Sequence, residues 1–227
     1  MEFLLGIDNG LTVSKAVLFD ASGNTIATAR RRVKKLLPKP YFVERDMDGL
    51  WLETATAIRE GLEISYVNSD RVVAVALTAH GDGLYLLDKE LRPLRSGILS
   101  LDSRSAAVVD KWNNDGTSDE SLLRTGQTPH ASAPSALLAW IRDHEPDVYE
   151  NIYKILAAKD WLRFCLTGTL GTDLTEASTS FTHVETQTYA DEILEIFGLE
   201  VLSSALPEVS GPCDIVGHVH FDAAQIT

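Results

Sequence analysis

The chain has 227 residues, of which 44% are hydrophobic and 23% charged, and a formal net charge of −13 at pH 7. This length is enough to bury a substantial core in one large domain or two smaller ones. The negative charge argues against nucleic acid and anionic membranes, which both favour basic surfaces. We therefore expect no nucleic-acid partner and no membrane partner.

The cysteines and the hydropathy profile indicate a cellular compartment. Cys165 and Cys213 lie far apart, which favours reduced thiols over a required disulfide. The amino terminus lacks the basic segment and long apolar stretch of a secretory signal. No run approaches the ~18 apolar residues that a membrane helix needs. These features predict a cytoplasmic protein.

The first part of the chain predicts three strands and a helix. Apolar runs indicate strands at 3–8, 15–20 and 25–33, with the polar turn DASGN between the second and third. The two prolines of LLPKPYFVERD favour an extended segment. Asp46 is then a candidate N-cap for a helix. The apolar residues of that helix are spaced three or four apart: Trp51, Ala55, Ile58 and Leu62.

The remainder predicts further strands and several helices. RVVAVALT (71–78) is typical of a strand buried on both faces, and 83–88 predicts the next strand. Helices are predicted over 102–112, in SAPSALLAWIRDHEP with Pro134 in its first turn, in KDWLRFCLTG up to Gly168, and in DEILEIFGL. CDIVGHVHF predicts a late strand. This order indicates an α/β fold with a mixed sheet flanked by helices.

The stretch LLGIDNGLTVSKAVLFD contains a candidate phosphate site. Phosphoryl transfer needs backbone amides near phosphate oxygens and a carboxylate for Mg²⁺. Gly10 permits close approach of the backbone, and Asp8 stands at a strand end. Thr12 and Ser14 offer hydroxyls, and Lys15 offers a positive charge. The Asn-Gly pair is also a strong hairpin signal, and the spacing alone favours a purely structural hairpin.

Two further stretches carry candidate ligand contacts. His80, Gly81 and Asp82 follow a predicted strand, where α/β proteins place ligand contacts, although a loop facing solvent explains them equally well. In ILSLDSRSA, Asp102 is either a helix N-cap or a carboxylate that accepts hydrogen bonds from two sugar hydroxyls. Arg104 could pair with it.

Other polar and aromatic residues favour structural roles. Asp173 and Glu176 in GTDLTEAS are typical of helix capping. The histidines outside the LTAHGDG stretch show no convincing metal-ligand spacing. The tryptophans fall at apolar positions of predicted helices, which favours core packing for Trp51, Trp112, Trp140 and Trp161.

Taken together, six stretches resemble the N-terminal half of the FGGY family of carbohydrate kinases. They are GIDNGLTVSKAVLFD, YFVERDMDGLW, VVAVALTAHGDGLYLLD, GILSLDSRSA, TGQTPHASAPSALLAWIRDHEP and AKDWLRFCLTGTLGTDLTEAS. They occur in the family's order and spacing and cover nearly the whole chain. FVERDMDGLW and ILSLDSRSA are most similar to the bacterial L-xylulose (3-keto-L-gulonate) kinases, and GDG is similar to erythritol-type kinases.

The resemblance implies a ribonuclease-H-like domain of the actin-like ATPase fold. In this family sugar binds mainly on the first of two domains and ATP mainly on the second. We therefore expect residues 1–227 to be the N-terminal sugar-binding domain, with the C-terminal ATP-binding domain absent from this chain. The general-base Asp is expected beyond Thr227, so no catalytic base is assigned here. The chain alone is expected to bind sugar weakly without phosphorylating it.

The resemblance also implies roles for individual residues. Asp8 is the expected carboxylate near Mg²⁺ and the phosphates. The other expected phosphate contacts are Gly10, Thr12, Ser14 and Lys15. The expected substrate contacts are His80, Gly81, Asp82 and Asp102.

The chain departs from the family pattern at three places. Leu11 replaces a hydroxyl residue that many members have after the glycine of the turn. Ser100 stands where many members have a tryptophan that forms an apolar wall against the sugar. Gly81 and Asp82 replace the pairs of glycerol and xylulose kinases, which leaves the identity of the sugar open.

The function implied by the resemblance is ATP-dependent phosphorylation of a hydroxyl of a ketose or polyol such as L-xylulose. ATP and Mg²⁺ are the implied cofactors, the sugar is the partner, and a homodimer is compatible with this assignment. The alternative is a non-catalytic sugar-binding or regulatory module of the same fold, because a fold alone does not choose between these uses.

Overall fold

The computed structural model describes residues 2–227 and has strands and helices in alternating groups. The strands are β1 (Phe3–Asn9), β2 (Val13–Asp20), β3 (Thr25–Arg32), β4 (Glu44–Arg45), β5 (Val72–Ala79), β6 (Tyr85–Leu87), β7 (Gly97–Ile98), β8 (Lys154–Leu156), β9 (Thr172–Asp173) and β10 (Val209–Ser210). The α-helices are α1 (Met47–Ser65), α2 (Ala106–Asp115), α3 (Thr117–Thr125), α4 (Pro134–His144), α5 (Pro146–Glu150), α6 (Ala158–Thr167), α7 (Leu174–Ala177), α8 (Asp191–Phe197) and α9 (Phe221–Ile226). Short 3₁₀ helices lie at Ser69–Arg71 and Glu200–Ala205.

The main sheet has four strands in the order β3-β2-β1-β5. β1 pairs antiparallel with β2 and parallel with β5, so the sheet is mixed. β2 pairs antiparallel with β3. The predicted α/β class with a mixed sheet flanked by helices is therefore confirmed.

Helix α1 covers one face of this sheet. Leu5 and Ile7 of β1 and Leu18 of β2 are buried against Ala57 and Ile58 of α1. The alternate positions of β1 and β2 point to the opposite face, which is partly exposed to solvent. Asp8 and Lys15 occupy these alternate positions, so they lie on the face that α1 does not cover.

The helices that follow form two further apolar clusters. Leu137 and Leu138 of α4 are fully buried in the larger cluster, together with Trp112. Trp161 of α6 lies in the other cluster and donates from its indole N–H to the carbonyl oxygen of Met47 at 2.9 Å. The remaining tryptophans, Trp51 and Trp140, are half-buried and pack against the clusters.

Strand β5 is more exposed than its apolar sequence predicted. The sequence predicts a strand buried on both faces, but Val73 is 56% exposed. The reason is that β5 is an edge strand, paired only with β1 among the described residues. An apolar run does not distinguish a strand inside a sheet from one at its edge.

The predicted late strand is absent from the structure. Within the described residues, 213–220 form no strand, and α9 begins at Phe221. The His220 backbone N–H donates to the Leu166 carbonyl oxygen at 3.0 Å, and its imidazole contacts the Cys165 carbonyl oxygen. This segment therefore completes the carboxyl end of α6 instead of joining a sheet, and its alternating pattern predicted the wrong element.

Cys165 and Cys213 are both free thiols. Among residues 2–227 no helix is long and apolar enough to cross a membrane.

Candidate active site

The β1–β2 hairpin and β5 place three polar side chains in one row across the sheet. Asp8 lies opposite Lys15 of β2 and opposite Thr78 of β5. The Lys15 Nζ donates to the Asp8 Oδ2 at 2.8 Å, and the two side chains are 40% and 47% exposed. Asp8 is therefore accessible from the face of the sheet that α1 does not cover.

The turn of the hairpin is short and open to solvent. The Gly10 N–H donates to the Val13 carbonyl oxygen at 2.9 Å, and Thr12 is exposed. Ser14 was expected to contact phosphate, but its side chain is fully buried. Its hydroxyl lies 3.0 Å from that of Thr54 on α1. The alternation of β2 turns Ser14 away from the turn, so this geometry gives no support to its predicted phosphate contact.

Behind the turn lies Arg45, a residue that the sequence analysis did not select. Its side chain is buried, and its guanidinium donates to the Leu11 carbonyl oxygen at 2.6 Å and to the Asn9 Oδ1 at 3.3 Å. Arg45 belongs to the extended VERD segment and lies on β4, which pairs antiparallel with β7. Only the long-range packing of β4 reveals this contact.

The loop after β5 begins beside the end of β1. The His80 N–H donates to the Asn9 carbonyl oxygen at 2.9 Å. The β1–β2 hairpin and the predicted substrate loop therefore meet where β1 and β5 end. The His80 Nε2 lies 3.4 Å from the Tyr85 hydroxyl. Burial, with a smaller contribution from the Arg45 charge, lowers the pKa of His80 to about 4. His80 is therefore a neutral imidazole at pH 7.

Asp82 adopts a strained backbone and faces a second histidine. Its φ is +55°, a left-handed conformation that is uncommon outside glycine and that is enriched at functional sites. The His130 Nε2 lies 3.6 Å from the Asp82 Oδ2. Burial raises the pKa of Asp82, and His130 opposes that shift. Gly81 is exposed beside it, so Asp82 and His130 form a polar pair at the end of β5.

Asp102 does not join this pair. Its carboxylate has no exposed surface and accepts from the Arg104 guanidinium at 2.8 Å and from the Val43 N–H at 2.7 Å. Arg104 also pairs with Glu44 and stacks over the Phe42 ring at 4.0 Å. This geometry gives no support to a direct sugar contact by Asp102, because both of its oxygens have buried partners.

A small hollow next to Asp82 contains further carboxylates. Asp160, Glu176 and Tyr189 line it together with Asp82. Burial raises the pKa of Asp160 to about 7. Asp173 accepts from the Glu176 N–H at 3.2 Å, as the capping interpretation predicted, and the Lys159 Nζ pairs with both carboxylates.

The donor set at the hairpin is compatible with Mg²⁺. Within residues 2–227 no group of three or more histidine, cysteine or acidic side chains could enclose a metal ion. Mg²⁺ bound with a nucleotide commonly uses only one or two protein carboxylates, with phosphates and water as the other ligands. The half-exposed Asp8 fits that role, provided that Lys15 moves aside or contacts a phosphate.

The chain shares its fold with solved structures of sugar kinases. It superposes on the ligand-bound xylulose kinase of Lactobacillus acidophilus with a TM-score of 0.93 at 22% identity, covering 100% of this chain and 45% of that one. That likeness establishes the actin-like ATPase fold that the resemblance implied.

The sequence comparisons define the family. Residues 3–227 match the N-terminal domain of the FGGY family of carbohydrate kinases, and the chain belongs to this family. It is 37% identical over 228 residues to a probable L-xylulose kinase of Pasteurella multocida (strain Pm70), covering 100% of this chain and 47% of the relative. It is 34% identical over 227 residues to the L-xylulose/3-keto-L-gulonate kinase of Escherichia coli (strain K12), covering 100% and 46%. The chain thus spans about half the length of these relatives.

Proposed function

We propose that this chain is the sugar-binding half of an ATP-dependent kinase that phosphorylates a hydroxyl of a ketose or polyol, with L-xylulose as the first candidate. The observation that carries the proposal is that the β1–β2 hairpin and the loop after β5 meet where β1 and β5 end, with the His80 N–H bonded to the Asn9 carbonyl oxygen. The hairpin offers features suited to phosphate, and the loop after β5 offers features suited to hydroxyl groups. Similarity to L-xylulose kinases over the full chain supports the choice of sugar class.

On the sugar side we assign the main role to Asp82. An ionised carboxylate can accept hydrogen bonds from two neighbouring hydroxyls, and His130 can donate or accept beside it. His80 is a neutral neighbour that can also donate or accept a hydrogen bond. Gly81 contributes backbone groups without steric hindrance, since a Cβ there would meet nothing within 4 Å.

On the phosphate side we assign Asp8, Gly10, Thr12 and Lys15. Phosphoryl transfer depends mainly on positioning and on neutralising charge, so these residues would orient the Mg²⁺–triphosphate towards the sugar. When bound, Mg²⁺ would neutralise phosphate charge next to Asp8. We place the reaction in the cytoplasm.

The test measures ADP release by the full-length gene product. The substrates are L-xylulose, D-xylulose, 3-keto-L-gulonate, erythritol and glycerol, each over a range of concentrations with Mg²⁺ and ATP. Sugar-dependent ADP release with a ketose or polyol supports the proposal. Saturable sugar binding without ADP release would favour a binding module. The proposal is overturned if the gene product shows no sugar binding and no sugar-dependent ADP release.

A further inference from the structure

Arg45 is a buried cation that has no carboxylate partner. Residues 2–227 contain no carboxylate within ion-pair distance of its guanidinium, whereas Arg95 and Arg104 nearby are both paired with Glu44. Its neighbours are carbonyl oxygens, the Asn9 amide and the Tyr85 hydroxyl, which are all neutral at pH 7. Burying a charge without a countercharge is unfavourable, so a negative charge near Arg45 would be stabilised by it.

The polar atoms around Arg45 are incompletely satisfied. The Arg45 Nε and the Asn9 Nδ2 are both buried and have no hydrogen-bond partner among the described residues. Buried donors are nearly always paired in native proteins, so two unpaired donors on side chains that are hydrogen-bonded to each other require an explanation. The Arg45 side chain also contacts the Gly10 and Leu11 carbonyl oxygens of the hairpin turn.

The contacts of Arg45 also determine how the turn presents its amides. The guanidinium donates to the Leu11 carbonyl oxygen at 2.6 Å and makes a longer contact of 3.4 Å with the Gly10 carbonyl oxygen. In a trans peptide the C=O and the following N–H point in opposite directions, and residues 2–227 contain no cis bond. The N–H groups of Leu11 and Thr12 are therefore directed away from Arg45, and neither donates to an acceptor within the described chain. Two successive free amides of this kind form an anion-binding concavity.

We infer that Arg45 is the positioning residue of the hairpin: it orients the Leu11 and Thr12 amides towards a bound polyphosphate and places an unbalanced positive charge behind them. Only the nature of the anion, a nucleotide polyphosphate, rests on the proposed function. The geometry of the amides and the unpaired cation stand independently of it. Substitution of Arg45 should therefore weaken anion binding at the turn even where the fold is retained.

The test uses inorganic tripolyphosphate, with and without Mg²⁺, as a probe that needs no adenine site. Binding to this chain is followed by the backbone amide NMR shifts of Leu11 and Thr12 and by the rise in Tm. In the wild type we expect saturable shifts at both amides. We expect Arg45→Gln to weaken binding about 10-fold or more and to reduce the anion-induced rise in Tm. Arg45→Lys keeps the charge but loses the guanidinium that contacts two carbonyl oxygens. Its affinity for tripolyphosphate should lie between those of the wild type and Arg45→Gln.

Arg59→Gln is the matched control, since Arg59 is exposed on α1, far along the helix from the hairpin turn, and its guanidinium donates to the Ile226 carbonyl oxygen at 3.2 Å. It should bind the probe like the wild type. A purely structural role for Arg45 would lower the Tm but leave the anion-induced rise unchanged, and that result overturns the inference. No binding by the wild-type chain overturns it as well. If Arg45→Gln does not fold, undiminished binding by Arg45→Lys counts against the inference and weakened binding supports it.

The inference and the proposed function can fail separately. Sugar phosphorylation by a full-length Arg45→Gln variant with unchanged tripolyphosphate affinity would remove the inference and keep the function. Arg45-dependent anion binding in a gene product that phosphorylates no sugar would do the reverse.

Discussion

Two acidic residues near the site form ion pairs that differ in their exposure to solvent. Asp8 and Lys15 are each about half exposed, whereas Asp102 and Arg104 have no exposed side-chain surface. Exposed pairs contribute about 0–1 kcal/mol to stability because water screens them, but removing one partner of a buried pair leaves an uncompensated charge. Loss of one partner should therefore lower the stability of the chain more at the Asp102–Arg104 ion pair than at the Asp8–Lys15 ion pair.

The first prediction compares the two pairs by substitution. Lys15→Met should change the free energy of unfolding by less than about 1 kcal/mol, because the pair is solvated. Asp102→Ala should lower it by about 3 kcal/mol, because Arg104 then keeps only Glu44 and the Val43 N–H loses its acceptor. Urea denaturation of the chain measures both values. Equal losses would show that Asp102 is not enclosed as described.

The second prediction concerns Asp82 in the proposed reaction. Asp82→Asn should raise the KM for the sugar about 10- to 100-fold, because charge-assisted hydrogen bonds to hydroxyls become neutral ones. Steady-state kinetics of the full-length product measure the effect. Asp70→Asn is the control, because Asp70 precedes β5 at its other end, roughly 20 Å away by strand length. An unchanged KM for Asp82→Asn would exclude Asp82 from the sugar site.

At the scale of elements, the short loop between β5 and β6 depends on one glycine. Gly83 has a φ of +80°, and its N–H donates to the Ser132 carbonyl oxygen at 3.0 Å. A Cβ at this position would overlap the Ile98 carbonyl oxygen of β7. Only glycine combines this conformation with such close packing, and so Asp82 is held next to His130.

The third prediction tests this constraint. Gly83→Ala should lower the free energy of unfolding by about 3 kcal/mol, the sum of a left-handed penalty and a steric clash. Gly116→Ala, at φ +90° with nothing within 4 Å of an added Cβ, should lose only about 1 kcal/mol. Urea denaturation measures both. Similar losses would mean that the Ile98 contact is unimportant.

Most of the elements were predictable from local patterns, and the failures have physical causes. The three-stranded start, α1 after Asp46, α4 with Pro134 and α6 ending before Gly168 all follow from periodicity and end signals. The helix predicted from 102 begins only at Ala106, because turns around the buried Asp102 precede it. The late strand did not form because residues 213–220 pair with no strand among the described residues, and the His220 N–H donates to the Leu166 carbonyl oxygen at the end of α6 instead.

At the scale of the whole molecule, the stability should depend on pH through Asp160. Its carboxyl group is buried, and it accepts from the Ala157 N–H at 3.0 Å. Burial raises its pKa from an ordinary value of 3.8 to about 7, so the folded chain holds a proton that the unfolded chain releases. Stability is therefore lost as the pH rises from about 4 to about 7, with a slope near 1.4 kcal/mol per pH unit from this group.

The fourth prediction is that Asp160→Asn removes this dependence. Asparagine keeps an acceptor for Ala157 but does not ionise. The difference in unfolding free energy between variant and wild type should therefore shift in favour of the variant as the pH rises from about 4 to about 7. Denaturation curves at several pH values measure it. A constant difference would show that Asp160 stays ionised in the folded chain.

The amino-acid sequence by itself determined the α/β class, the hairpin with its Asn-Gly turn, and the family, because these depend on residue order, periodicity and local turn chemistry. Only the tertiary structure decided which polar side chains share a surface. It turned Ser14 towards Thr54, enclosed Asp102 with Arg104, set His130 beside Asp82 and placed Arg45 behind the turn. The physical reason is that most of these environments arise from contacts between residues about 34 to 59 positions apart, which no local pattern encodes.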